Sequence, residues 1–494
     1  MGQMNVVVIV SDTLRRDHLG CYGSKTIRTP HLDRFAAEAT VFDRAFVSSF
    51  PTVPCRNDIM TGRYTFTYKP WSPVATDELL LAEVLGRNGV ITYLVADTPN
   101  AFSPGYNYQR GFSGYEFVRG QESDPWRTTP VDVHLPCAAD KLRTPDAVRQ
   151  YLRNVSERRS EVDYFPARTL GGAAAWLERH ARLGRGADGK PKPFFLYCDT
   201  FDPHEPWDPP AHYLSLYESD YEGEEVIYPR YDKCGYLSAE ELAHCRALYA
   251  GEVTMVDHWI GHLLSAIDRL GFREDTAVLV LSDHGFYHGE HDCIGKWLMT
   301  SQHAQGVPLY PEVCRVPFMV RVPGIAPNRS DRLVQAVDIF PTVVDLFGLK
   351  VDAPRVQGLS VLGEQRRSWT VSAPTLSHPG IRVPHPATRA TVSDGRWLLV
   401  YGSQASREEQ ASAQLERTRM VDGIERVVRT VGNDPVRPEL YDLNADAACL
   451  RNLFGSGAGG TADAAARLHA GFLEQLTRSA VPAEHLRFFQ SLPR

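Results

Sequence analysis

Five apolar residues in a row, Val6-Val-Val-Ile-Val10, end abruptly on Ser11-Asp12. A short β-branched run without alternation predicts a strand buried on both faces, as parallel sheets require. Similar runs at 90–95, 194–197 and 277–281 predict further strands of this kind. Between them apolar residues recur every three or four positions. Residues 30–39 (Leu32, Phe35, Ala36, Ala39), 79–88 and 242–270 (Leu248, Val253, Val256, Ile260, Leu263, Leu264, Ile267) predict helices with one apolar side. Strands alternating with helices predict an α/β domain, with a large, mostly parallel sheet flanked by helices. Polar residues closing those strands then gather along the carboxyl edge of the sheet, where such folds build their sites.

The pattern changes after 337–349. Residues 396–401 and 439–443 are strand-like and 461–476 are amphipathic. The expected division is a catalytic domain over 1–370 and a small C-terminal strand-and-helix subdomain over 371–494. Residues 121–168 are rich in charge and proline and lack a clear period, as are 217–236. They are expected to form an insertion or a lid over the cleft.

Composition narrows the function. The 494 residues exceed what one small core needs, and 23% charged with 43% hydrophobic residues fits a soluble globular enzyme. A net charge of −7 gives no basic footprint, so nucleic acid is not an expected partner. No apolar stretch approaches the roughly 20 residues that span a bilayer, so no membrane is expected either. The nine cysteines are scattered, unpaired in spacing and unaccompanied by an export signal. They lead to the expectation of a reduced, cytoplasmic protein without a structural zinc site. A homo-oligomer is expected.

Candidate chemistry lies at the strand ends. Asp12 closes the first strand and Asp283-His284-Gly285 closes a late one. Two carboxylates and an imidazole, each at a strand end, can converge on one divalent cation. Singly, each reads as a cap or turn residue; the set is more specific. Thr52 precedes Pro54 and Arg56. It reads either as the N-cap of a helix starting near Pro54 or as a hydroxyl nucleophile, and the two roles are compatible. Cys55 beside Arg56 competes as a thiol nucleophile. His288 and His291 read best as surface loop histidines.

The segment Pro51-Thr-Val-Pro-Cys-Arg-Asn-Asp-Ile-Met-Thr-Gly62 resembles the nucleophile signature of the sulfatases, members of the alkaline phosphatase superfamily. That signature reads Cys or Ser, any residue, Pro, Ser, Arg, then Thr-Gly. Pro54, Arg56, Thr61 and Gly62 fall in register. The resemblance places Thr52 where sulfatases carry the cysteine oxidised to formylglycine, and Cys55 where they carry Ser. Residues 15–23, Thr29-Pro-His-Leu-Asp33, Arg315-Val-Pro-Phe-Met-Val-Arg-Val-Pro-Gly324 and Asp338-Ile-Phe-Pro-Thr342 look like sulfatase segments in their usual order. The likeness runs from about residue 5 to about 455.

The resemblance implies an alkaline phosphatase-like fold and one metal ion held by Asp12, Thr52, Asp283 and His284. It implies catalytic roles for Thr52, Arg56, His204 in Phe201-Asp-Pro-His-Glu-Pro-Trp207 and Lys296 in Gly295-Lys-Trp297. Thr98 and Thr13 are implied as substrate contacts. Sulfatases carry a second aspartate at the position of Thr13. Its loss, with His284 in place of Asn, implies manganese or zinc rather than calcium. The pattern is closest to the phosphonate monoester hydrolase and phosphodiesterase branch. The expected activity is metal-dependent hydrolysis of a small anionic ester, a phosphate diester or phosphonate monoester, by a metal-activated threonine. Hydrolysis of aryl or alkyl sulfates is the alternative. A catalytically weakened anion-binding relative is the alternative of another class.

Overall fold

The computed structural model describes residues 4–492 except 131, 185, 187, 188, 190, 300–303, 385–387, 413–416, 422, 423 and 429–434; for 297–306 and 411–434 only the backbone is described. The apolar runs form the strands Asn5–Ser11, Ile91–Ala96, Phe194–Thr200 and Thr276–Ser282. They lie within an eight-stranded sheet. Its order is Asn328–Gln335, Thr40–Phe46, Phe318–Arg321, Thr276–Ser282, Asn5–Ser11, Phe194–Thr200, Ile91–Ala96, Gly114–Phe117. Phe318–Arg321 runs antiparallel to both neighbours, and the other pairings are parallel.

The first strand is apolar throughout because both of its faces are covered. Val7 and Ile9 join the core under the helices Pro30–Ala36, Phe165–Leu183 and Ala239–Arg269. Val6, Val8 and Val10 join the core under Thr52–Thr61, Leu81–Arg87 and Ile339–Leu346. All five side chains are fully buried. Each contributes about 1.5–3 kcal/mol relative to exposure. The long helix Ala239–Arg269 starts on a reciprocal cap: Ser238 Oγ accepts from Glu241 N at 3.1 Å, and Glu241 Oε2 accepts from Ser238 N at 2.9 Å. No helix among the described residues is long and apolar enough to cross a membrane.

A second sheet, all antiparallel, orders Thr370–Ser372, Arg389–Ser393, Trp397–Gly402 and Glu439–Asp442. The helix Thr461–Arg478 covers it with Leu468, Phe472 and Leu476. This sheet is stitched to the eight-stranded part just before Thr52. Ala373 N donates to Ser48 O at 3.1 Å, and Phe50 N donates to Ala373 O at 2.9 Å.

Residues 121–168 differ from expectation. They contain the helix Pro145–Val155 and the start of Phe165–Leu183. Gln121, Glu122 and Asp124 are buried, and Gln121 Nε2 donates to Asp202 Oδ1 at 2.6 Å. The segment is packed into the fold through these polar residues together with Leu142, Val148, Tyr151 and Phe165.

Candidate active site

Asp12 and Asp283 stand side by side because their strands are in register, with Ser11 opposite Ser282. Each chain leaves the sheet at the same level. Thr13 takes a left-handed conformation (φ 61°) and turns its N–H to Asp283 Oδ1 at 3.0 Å. Its hydroxyl donates to Asp12 Oδ1 at 2.6 Å. His284 N donates to Asp283 Oδ1 at 2.8 Å, and His284 Nδ1 donates to Gly285 O at 3.0 Å. A carbonyl can only accept, so Nδ1 carries the proton and Nε2 presents its lone pair inward. Around Nε2 lie Thr52 Oγ1 at 3.3 Å, Lys296 Nζ at 3.3 Å, Asp283 Oδ2 at 3.5 Å and Asp12 Oδ1 at 3.9 Å.

The donor set fits a divalent cation. One ligand atom from each of Asp12, Asp283 and His284 lies within 4.8 Å of the others. Asp12 Oδ2 is 3.0 Å from Arg56 Nη1 but accepts no hydrogen bond, a buried carboxylate oxygen left for another partner. Burial, then the Asp283 charge, pushes the Asp12 carboxyl up. Burial, then the Lys296 ammonium, pushes His284 down to about 3, so its imidazole is neutral and available as a ligand.

Thr52 is the first residue of the helix Thr52–Thr61, and Pro51 occupies the cap position. The N-cap reading of Thr52 is therefore corrected by one residue. Its hydroxyl sits at the positive end of a helix whose residues are all buried, where developing negative charge is favoured. Arg56 follows one turn later and is itself completely buried. Its Nε and Nη2 grip Asp199 at 2.8 and 2.6 Å. Nη1 reaches Asp283 Oδ2 at 2.8 Å and Thr52 O at 3.2 Å, and Nη2 also reaches Thr98 Oγ1 at 3.4 Å. A guanidinium has five N–H donors, and these bonds engage them all. Arg56 is thus a wedge between carboxylates that also anchors the Thr52 carbonyl.

Asp199 is the residue that the sequence reading missed. It lies opposite Val10 and Ala96 on the neighbouring strands, at the same edge as Asp12. Thr98 donates to its Oδ1 at 2.8 Å, so that hydroxyl belongs to the Asp199 network. His204 Nδ1 donates to Glu205 O at 2.6 Å, and its ring stacks on Phe201 at 4.0 Å. Burial, then the Lys296 and Arg143 charges, pushes His204 well below the ordinary range. Its Nε2 is therefore unprotonated. Lys296 is only 4% exposed. The structure thus gathers Asp12, Thr13, Thr52, Arg56, Thr98, Asp283, His284 and Lys296 into one polar cluster, whereas the contacts of His204 are with Glu205 and Phe201.

His288 is not a surface residue. It is 2% exposed and packed against Tyr249, Phe286 and Trp207 at 4.2, 4.9 and 5.2 Å. His291 is half-buried, 4.2 Å from the Tyr310 ring. Cys55 points into the apolar core, and burial raises its thiol well above the ordinary range. That disfavours the thiolate a nucleophile needs.

Gly285 gives this cluster a sharp test. A Cβ there would lie 2.0 Å from the Glu312 carbonyl oxygen, so the backbone carrying His284 must shift. Gly285→Ala is expected to weaken Mn²⁺ binding by about 10–100-fold, the usual cost of disturbing a ligand's support. Calorimetric titration of the native and variant proteins checks this; equal affinities would show that His284 is held without Gly285.

Fold and site together define an ester hydrolase of the alkaline phosphatase superfamily. Within it the chain belongs to the sulfatase family, whose Sulfatase model matches residues 4–349. It is similar to an arylsulfatase of Clostridium perfringens, 25% identical over 402 residues that span 74% of this chain and 79% of the relative. It is also similar to the multifunctional alkaline phosphatase superfamily protein PehA of Trinickia caryophylli, 23% identical over 418 residues, 70% of this chain and 74% of the relative. The crystal structure of the phosphonate monoester hydrolase of Agrobacterium radiobacter shares the fold. Its TM-score is 0.67 at 20% identity, covering 97% of this chain and 96% of that one. Sulfatases predominate among the named relatives.

Proposed function

We propose that the protein hydrolyses phosphate diesters or phosphonate monoesters, with Thr52 as the nucleophile. The observation that carries this reading is the Thr52 hydroxyl at a helix N-terminus, 3.3 Å from His284 Nε2 and beside the carboxylates of Asp12 and Asp283. These three residues and Thr52 would hold one divalent ion. Mixed oxygen and nitrogen donors with few carboxylates suit manganese or zinc better than calcium. Such an ion, when bound, lowers the pKa of the hydroxyl and offsets charge on the reacting oxygens.

The remaining roles follow from protonation. Arg56 fixes the Thr52 backbone by donating to its carbonyl. Thr52 Oγ bonds to phosphorus as the ester oxygen departs, the Lys296 ammonium supplies the proton to that leaving oxygen, and the proton that Thr52 gives up restores the ammonium. His204 presents a bare Nε2 and serves as the base for the water that then attacks phosphorus. Thr52 leaves with the proton that His204 took from that water. A formylglycine hydrate has a second hydroxyl that can expel sulfate as the aldehyde re-forms. Threonine has none, so its ester must be broken by water at the central atom. That requirement favours phosphorus.

Sulfate ester hydrolysis is a second reading, favoured by the sulfatase names among the relatives. The experiment is steady-state turnover of Mn²⁺-loaded enzyme on matched p-nitrophenyl esters: sulfate, phosphate monoester, phosphate diester and phosphonate monoester. The diester or phosphonate is expected to have the highest kcat/KM, by about tenfold or more over sulfate. A sulfate preference would overturn the reading.

A further inference from the structure

Asp199 uses both carboxylate oxygens on a single cation, gripping Arg56 at 2.8 and 2.6 Å, and is itself 2% exposed. Asp283 Oδ2 and Asp12 Oδ2 lie 2.8 and 3.0 Å from Nη1, but those two carboxylates are the ones that would hold the ion, which leaves Asp199 as the carboxylate given to Arg56 alone. A third negative charge is thus held beside the reacting atoms. Holding it in a dry interior costs free energy even when it is paired.

Charge bookkeeping points to a use for it. Asp12, Asp199 and Asp283 face Arg56 and Lys296, three formal negative charges against two positive. The His284 imidazole adds no charge, since its Nδ1 donates to Gly285 O and its Nε2 would face the ion. Asp97 and Asp202 are engaged elsewhere, accepting from Phe201 N and Gln121 Nε2. A divalent ion on Asp12, Asp283 and His284 then leaves the inner site one charge positive. A monoanionic ester closes that balance, while a dianion overshoots it. Without the Asp199 charge, the same site would match a dianion.

We infer that Asp199 is a specificity-determining positioning residue, which partly neutralises Arg56 and so selects monoanionic esters over dianionic phosphate monoesters. Its side chain acts through Arg56 and Thr98 and needs no contact with the substrate. The inference rests on the phosphoester reading of the site for its substrate class. One unit charge within several ångströms in a partly desolvated pocket is worth a factor of about ten or more in relative affinity.

The test compares p-nitrophenyl phosphate with methyl p-nitrophenyl phosphate, a dianion and a monoanion with one leaving group. In Asp199→Asn the monoester-to-diester ratio of kcat/KM is expected to rise about tenfold, and in Asp199→Glu to return toward native. A merely structural role would lower both substrates together and leave the ratio unchanged, which would overturn the inference. If Asp199→Asn does not fold, native enzyme decides. Dimethyl phosphate should then inhibit at least as strongly as methyl phosphate at pH 8, and about tenfold tighter binding of methyl phosphate would overturn the inference. Failure of the threonine reading is separate: it shows as turnover surviving in Thr52→Ala, whatever the charge preference.

Discussion

Thr52→Ala is expected to lower turnover of the best ester by about 10,000-fold or more, the scale on which removal of a nucleophile is felt. Cys55→Ala should stay within about threefold of native. The contrast follows from placement. Thr52 Oγ1 lies among the side chains that would hold a metal, whereas Cys55, three residues on, packs into the apolar core. Thr52→Ser keeps a hydroxyl at the same position and should retain measurable activity. Metal content must be measured alongside, because Thr52 is itself an expected ligand. A Thr52→Ala enzyme that binds metal and still turns over would sink the assignment. A dead Cys55→Ala enzyme with native stability would transfer it to the thiol.

The second large effect is on stability. Arg56→Met should destabilise metal-free protein by about 3–5 kcal/mol, the range seen when one partner of a buried ion pair is removed. Asp12, Asp199 and Asp283 all face this guanidinium, and all three are buried. Methionine approximates the volume but leaves three carboxylates without the guanidinium they share. Adding Mn²⁺ should recover part of the loss, since an ion on Asp12 and Asp283 supplies positive charge to the same oxygens. Denaturant melts with and without metal measure both quantities. A loss below about 1 kcal/mol would mean that the carboxylates take up protons at little cost and that Arg56 is not their chief counter-charge.

The fold was legible where burial is two-sided. A strand such as Asn5–Ser11 must be apolar at every position, and nothing else in a chain of this kind looks the same. Asp12 and Asp283 were legible for a related reason: each follows directly on such a run. Asp199 obeys the same rule but was missed, because the apolar run was closed at Tyr197 while the strand continues to Thr200. The misplaced boundary hid a carboxylate that ends at the same sheet edge. Pro145–Val155 was missed because its buried side mixes Val148 and Tyr151 with Asn154, whose amide donates to the Gly120 and Asp124 carbonyls. His288 was misplaced because its neighbours Gly289 and Glu290 look like loop, while Trp207 and Tyr249, which bury it, come from distant parts of the chain. No local pattern carries that information.

The pairing of Ala373 with Ser48 and Phe50 has a consequence for biosynthesis. A ribosome delivers the segment just before Thr52 early, but the backbone that clamps it arrives more than three hundred residues later. That backbone is held in turn by a sheet ending at Asp442 and a helix ending at Arg478. During translation the start of the Thr52–Thr61 helix therefore lacks its lateral support until that backbone emerges. A chain stalled after Gln335 and before Thr370 would have every strand of the eight-stranded sheet but not the second sheet that supports this helix.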